Sequence, residues 1–567
     1  MKNLCKQIMA FLLCISILSG ALLVASADEN KLNLTVAADT HFKCFSDCGE
    51  FPSASSAENI EGMLDGDVYY YASSQGQMDR ESYAIVKQLL SSFVASDDDY
   101  LLIAGDLTCG KRQSHIEFAE MLRNAEEESN REIFVICGNH DCGDVNSETK
   151  VGIDEFKQIY TDFGYSQALA LHNTSGSYTV DLSYKYRLIA IDSCIYGEDE
   201  GEINSSVMQW IREQAAAAET DGKELIGMMH HSILPHFYVQ PMISDYSNLA
   251  EQLADMGIKI VFTGHIHAND ISSATTKSGN TIYDIQTGAL ITSPNAFRHV
   301  SFSDSGVEIT TDYITQINTD DLMEGYNAEQ LRRIEESFPD YSYGFFEAGM
   351  WRWLNRYIGS AEKLGRILKL DSGSKAYQEL DRLMSIVCDA INLPIYDNDS
   401  TLGELNSLEE IAQSAGYELP GSDYKQVYQI VAALMGNFYH GDDGETVMDT
   451  EVSLLFDCIR AALAHCAVNM ICDGSINNLL GYLNIDLPID SLITSAARVG
   501  FAQGVAEKLT RALLTALLDG ISGDYSGPED INVVLEVPSD TVSLTLLGRI
   551  LEFLFTVFNT FKKLIFI

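Results

Sequence analysis

Five short segments place aspartate, asparagine and histidine at spacings that suit a metal centre. They are Asp39-Thr40-His41, Gly105-Asp106, Gly138-Asn139-His140-Asp141, His230-His231 and Gly264-His265-Ile266-His267. Carboxylate, imidazole and amide oxygen are borderline-to-hard donors, suited to Zn, Mn or Fe rather than to a thiolate cage. Two divalent ions roughly 3.5–4 Å apart share a bridging carboxylate and need about three further protein ligands each. Asp39, His41, Asp106, Asn139, His230, His265 and His267 supply that number. In Asp-x-His and His-x-His, alternate residues of an extended segment point the same way, so two ligands converge. Each segment alone is commonplace; five of them in order are not.

The elements that must position these residues are legible around them. The runs KLNLTVAA, YLLIAG, EIFVICG, YRLIAID, ELIGMMH and IKIVFTG are short, apolar and rich in Val, Ile and Leu. Each ends in Gly, His, Asp or Ser, where a loop begins, and each reads as a buried strand. Between them, 80–93 and 114–123 carry apolar residues at helical spacing. Strands alternating with helices predict an α/β sheet whose working loops gather at the carboxyl ends of the strands. TIYDIQTG, AFRHVSFSD and GVEITTDYI read as antiparallel strands closing this part.

The five segments resemble the calcineurin-like metallophosphoesterase superfamily, whose pattern is DxH, GDxx, GNH[DE], a lone His and GHxH. The resemblance covers roughly 32–314 and implies a β-sandwich flanked by helices with two metals at its edge. It also implies that Asp39, His41, Asp106 and His267 hold one ion, and that Asp106, Asn139, His230 and His265 hold the other. Asp106 would bridge them, and His140 matches the family's catalytic histidine, which is not a ligand. The fourth segment departs from the usual His-x-Pro, and position in the motif selects His230 over His231. The implied reaction is hydrolysis of a phosphate ester by a hydroxide bridging two divalent ions (Mn, Zn or Fe). His140 would stabilise the transition state or protonate the leaving oxygen.

Composition bounds the partners. With 82 acidic against 36 basic residues the 567-residue chain carries −46, which repels phosphate backbones and excludes stable nucleic-acid binding. The expected substrate is a phosphoester: a small molecule, a nucleotide or a lipid head group. Residues 1–27 have the layout of a signal peptide: Lys2 and Lys6, then an apolar run, then Ala25-Ser26-Ala27. A secreted or extracytoplasmic protein is therefore expected. Residues 28–315 form the α/β domain, with a long polar insertion over 42–77 that covers the site. Residues 316–535 carry helical periodicity and read as a mostly α-helical domain, and 536–567 as an amphipathic C-terminal helix. Within it a polar stripe of Thr545, Arg549, Glu552, Thr556, Thr560 and Lys563 leaves no apolar run near the ~18 residues of a spanning helix. Such a helix suits either a membrane surface or docking and oligomerisation. Cys44, Cys48, Cys109, Cys142 and Cys194 follow strand ends at or near the site, and some are expected to be disulfide-bonded. The alternative function is a non-catalytic cell-envelope or binding protein that kept the fold; the intact ligand set and His140 favour the enzyme.

Overall fold

The computed structural model describes residues 31–48, 76–144, 147–236 and 243–358, pieces within 372–425, residues 426–441 and residues 529–536. The leader, most of the 42–77 insertion, three helical stretches of the C-terminal half and the amphipathic tail lie outside the described residues. Two sheets stack face to face. The first has six strands in the order β13-β12-β11-β1-β2-β3 and the second seven, β4-β5-β6-β7-β8-β10-β9.

In the first sheet β1 (Leu32–Ala37), β2 (Tyr100–Ala104) and β3 (Glu132–Ile136) run parallel, linked by α1 (Ser82–Ala95) and α2 (Arg112–Ser129). β11 (Ala296–Ser303) and β12 (Gly306–Tyr313) extend it antiparallel. The second sheet is built on parallel β6 (Tyr186–Ile191), β7 (Glu224–Met229), β8 (Ile258–Thr263) and β10 (Thr281–Gln286). Its edges are β4 (Ala170–Leu171) with β5 (Tyr178–Asp181), and β9 (Asp270–Thr275). Helices α3 (Ile153–Ile159), α4 (Ser205–Asp221) and α5 (Tyr246–Asp255) complete this part of the chain.

The continuous apolar runs have a physical reason. Leu188 and Ala190 of β6 face the core between the sheets, while Ile189 and Ile191 face the core that α4 and α5 share with the second sheet. A strand covered on both faces has no polar alternation. The six strands expected from such runs are all present, and so are those of TIYDIQTG, AFRHVSFSD and GVEITTDYI. Of these, β10 pairs parallel with β8 and antiparallel with β9, so it is not a purely antiparallel element.

After β12 come α6 (Ala328–Glu336), α7 (Phe338–Ile358) and α8 (Val427–His440). Ile334, Phe338, Tyr341 and Phe345 enter the same hydrophobic core as the sandwich. A strand also lies in this region, although its periodicity reads as helical: β13 (Asn532–Leu535) pairs with β12 from Thr310↔Asn532 to Val307↔Leu535. Just before it, Asp530 Oδ1 accepts the Ile271 N–H of the second sheet, and the Asp530 carbonyl accepts from buried Arg298 of the first. The late segment thus fastens both sheets. Among the described residues no helix is long and apolar enough to cross a membrane.

Candidate active site

The carboxyl ends of β1, β2 and β3 in one sheet meet those of β7 and β8 in the other, and the five segments converge there. The backbone is bent to bring them in. Asp39, His41, Asp106, His265 and His267 all have positive φ, five of the eight such non-glycine residues among those described. Each left-handed turn costs of order 1 kcal/mol and persists only where surrounding structure imposes it. Two glycines make room. A Cβ at Gly138 would lie 2.2 Å from Asp106 Oδ1, and one at Gly264 would lie 2.5 Å from Asp39 Oδ2. The Gly of GNH and of GHxH is therefore a clearance for carboxylates.

The donor atoms form two adjoining groups. In one, His41 Nε2 and His267 Nε2 face each other at 3.3 Å, and Asp39 Oδ1 lies 3.8 Å and 3.5 Å from them. In the other, Asn139 Oδ1 lies 3.0 Å from His230 Nε2 and 3.1 Å from His265 Nδ1. Asp106 Oδ2 stands between the groups, 3.5 Å from His41 Nε2 and 3.4 Å from His230 Nε2. His230 Nδ1 sits 3.0 Å from the Ala104 carbonyl; donating its proton there leaves the Nε2 lone pair for a cation. His231 points elsewhere, with Nδ1 against Ser193 Oγ at 2.8 Å and Nε2 toward the Asp199 carbonyl.

These atoms fit a pair of divalent ions better than they fit one another. Asp39 Oδ1, fully buried, has no hydrogen-bond donor, and two ring nitrogens at 3.3 Å compete for at most one shared proton. Burial, reinforced by the neighbouring histidines, holds His41 and His265 well below the ordinary imidazole value, so both are neutral donors. Burial would lower His230 too, but Asp106 beside it overcomes this and lifts it to about 10. That is the local field's preference for positive charge, which a divalent ion between these groups would satisfy.

His140 is held differently. Its backbone N–H donates to Asp106 Oδ1 at 2.8 Å, its ring stands edge-on to His41 with centroids 5.1 Å apart, and its side chain is exposed. Position and exposure suit a group that meets substrate instead of the ions.

Two contributors escaped the sequence reading. Asp141 is fully buried and accepts from the backbone N–H groups of Leu107, Thr108 and Gly138, clamping the second and third segments together. Burial, then the charge of Asp106, push its carboxyl up to about 7. Its signal was its place in GNHD, but acidic turn residues are too common for that to stand alone. The second is the end of α8. The Tyr439 carbonyl accepts from the Asn269 N–H, two residues past His267, and the Tyr439 ring packs with Ala268 and Phe346. Burial, with Asp39 nearby, raises its phenol above the ordinary value. Lys111 and Arg112, near the site in sequence, pair with Asp47 and Glu155.

The expected disulfides are absent among the described residues: Cys44, Cys48, Cys109, Cys137, Cys142 and Cys194 are all free. Cys44 Sγ sits 3.2 Å from Ser46 Oγ and from Asp47 Oδ2, and Cys48 Sγ faces the Asp79 carbonyl. Polar neighbours, not partner sulfurs, surround both.

With the geometry in place, the relatives can be compared. Residues 32–269 match the family model described as calcineurin-like phosphoesterase. A protein of Rhodococcus erythropolis named "Probable cyclic nucleotide phosphodiesterase" is 27% identical over 188 residues, 32% of this chain and 56% of its own length. One of the same name from Psychrobacter arcticus is 24% identical over 191 residues, 32% of this chain and 61% of its own. The chain thus spans less than two thirds of either relative. A dimetal phosphatase from Danio rerio superposes with a TM-score of 0.38 and 11% identity, over 50% of this chain and 96% of that one.

Proposed function

We propose, from the match of residues 32–269 to the calcineurin-like phosphoesterase family, that this protein is a dimetal phosphoesterase exported from the cell. One observation carries the reading: Asp106 Oδ2 lies within 3.5 Å of a nitrogen from each of two ligand groups. A carboxylate so placed would serve as a ligand to both ions. Asp39, His41 and His267 would complete one ion's ligands, and Asn139, His230 and His265 the other's. Two divalent ions held there would supply Lewis acidity, neutralising phosphoryl charge and lowering the pKa of water.

The chain's own residues do the rest. The Asp106 Oδ1 bond from the His140 backbone N–H ties the proposed bridge to the segment that carries the proposed acid. The exposed His140 ring is free to turn toward a leaving oxygen and give it a proton. Asp141 fixes the loop that presents Asn139 and His140. Phosphodiesters, nucleotide ones first, are the substrates to try, since two curated relatives carry a cyclic nucleotide phosphodiesterase name. The leader-like 1–27 segment supports export.

The test is hydrolysis by the full chain, loaded with Mn, Zn or Fe, of a panel: aryl mono- and diesters, cyclic nucleotides and phospholipid head groups. Turnover of at least one diester that disappears on chelation is the expected result. Inertness toward every ester with both ions bound would leave a binding protein on this fold.

A further inference from the structure

Beside the Gly138–Asp141 turn lies a second cluster of a different chemical kind. Cys137 follows β3 directly, Cys142 follows the turn, and Asp192 and Cys194 follow β6. Cys137 Sγ, Cys194 Sγ and an Asp192 carboxylate oxygen all lie within 4.8 Å of one another. Cys142 hydrogen-bonds with Cys137, which brings a third sulfur to the edge of this group. Cys137 and Cys142 are fully buried, and Asp192 is 4% exposed.

Buried cysteines alone are ordinary small core residues. The carboxylate among them is not. Asp192 accepts from the Gly176 and Cys194 backbone N–H groups and from Tyr196, yet no Lys, Arg or His among the described residues pairs with it. A buried carboxylate without a cation is costly. A further polar atom points here unpartnered: Tyr165 is 7% exposed and its hydroxyl has no hydrogen-bond partner. The position of a Cβ at Gly176 lies 3.2 Å from that hydroxyl and 3.3 Å from Asp192 Oδ2, so the two groups flank the same glycine.

We propose that Cys137, Cys142, Cys194 and Asp192 form a separate, sulfur-rich site for a borderline-soft divalent ion, zinc being the one that three thiolates and a carboxylate fit best. Thiolate sulfurs bind zinc at about 2.3 Å in a closed tetrahedron, and the three thiol protons pass to solvent as the ion enters. Its positive charge answers Asp192. The ion would fasten the residue just before Gly138-Asn139-His140 to the loop after β6, which already touches it through the Cys194 Sγ–H donated to the Cys137 carbonyl. This site shares no ligand with the oxygen- and nitrogen-rich pair and stands without it.

The test is cobalt titration of the full chain, stripped of metal under reducing conditions. The near-ultraviolet sulfur-to-cobalt charge-transfer absorption should rise and saturate at the intensity of one thiolate-bound ion per chain, whatever cobalt the oxygen and nitrogen donors also take, and zinc should bleach it. Cys194→Ser and Cys137→Ala should abolish it, while Cys44→Ala, outside the cluster, should keep it. Because a core variant may misfold, the wild-type titration decides. No charge-transfer band with every thiol reduced would overturn the proposal, as would a peptide map pairing Cys137 with Cys142 or Cys194 in the natively purified protein. A thiolate band in a protein that binds no manganese would uphold this site and sink the dimetal reading alone.

Discussion

Two buried clusters of histidine and aspartate sit six residues apart along the chain, one reached by His230 and the other by His236, and their polar atoms are used differently. His236 is enclosed by carboxylates, Nδ1 at 2.5 Å from Asp270 Oδ1 and Nε2 at 3.2 Å from Asp284 Oδ2. Asp284 also accepts the Ile233 and Leu234 N–H groups and the Thr263 hydroxyl. Apart from His236 Nε2, which faces Asp284 at ion-pair distance without a hydrogen bond, protein groups close that cluster. Around His230 the pattern reverses: imidazole faces imidazole, Asp39 Oδ1 has no donor, and five candidate ligands hold positive φ. Residue type does not separate the two clusters. What separates them is whether the protein satisfies its own polar groups, and unsatisfied groups held under strain mark a place for something that is not protein.

The comparison can be broken most forcefully at its proposed bridge. Asp106→Asn should cut phosphoesterase turnover about 10³-fold or more and lower manganese stoichiometry, read by kcat and metal analysis; full metal occupancy in the variant would deny Asp106 the bridging place. Next, His140→Ala should keep both ions and lose roughly 10²-fold in kcat on alkyl esters. Unchanged turnover there removes His140 from proton transfer.

The structural cluster answers to stability instead. Asp284→Ala leaves His236 with one carboxylate, and the metal-free protein should lose roughly 3 kcal/mol in denaturant unfolding. A loss of catalysis with no loss of stability would make the His236 cluster functional after all. The same cluster predicts a pH dependence. Asp270 and Asp284 outweigh burial and lift His236 from 6.5 to about 10. A raised histidine stabilises the fold fully below its unfolded value, and that contribution disappears as pH rises through the folded one. Unfolding free energy of the metal-free protein should therefore fall between pH 7 and 10, less steeply in Asp284→Ala. Smallest of all, His231→Asn should leave manganese binding unchanged and cost only a few-fold in turnover, since its ring bonds Ser193 and the Asp199 carbonyl.

How much of this was legible in sequence depends on how local the cause is. Strands such as YRLIAI, buried on both faces, announce themselves by composition, and the seven candidate ligands by type and order. β9, Asp270–Thr275, is too polar to read as a strand; pairing with β10 through Ile271↔Ile285 makes it one. Likewise β13 exists because β12 offers an edge more than two hundred residues earlier in the chain. The satisfaction of His236 and the deprivation of His41 are invisible in sequence for the same reason: each depends on partners brought from distant strands.

The most direct measurement is manganese binding to the full chain, with hydrolysis of an aryl phosphodiester followed in the same samples. A hard ion should fill the oxygen and nitrogen donors and leave the thiols empty. The account predicts two manganese ions per chain, magnetically coupled, and turnover that appears as the second ion binds. A chain that takes up no more manganese than its Asp106→Asn variant, and hydrolyses nothing, would contradict it.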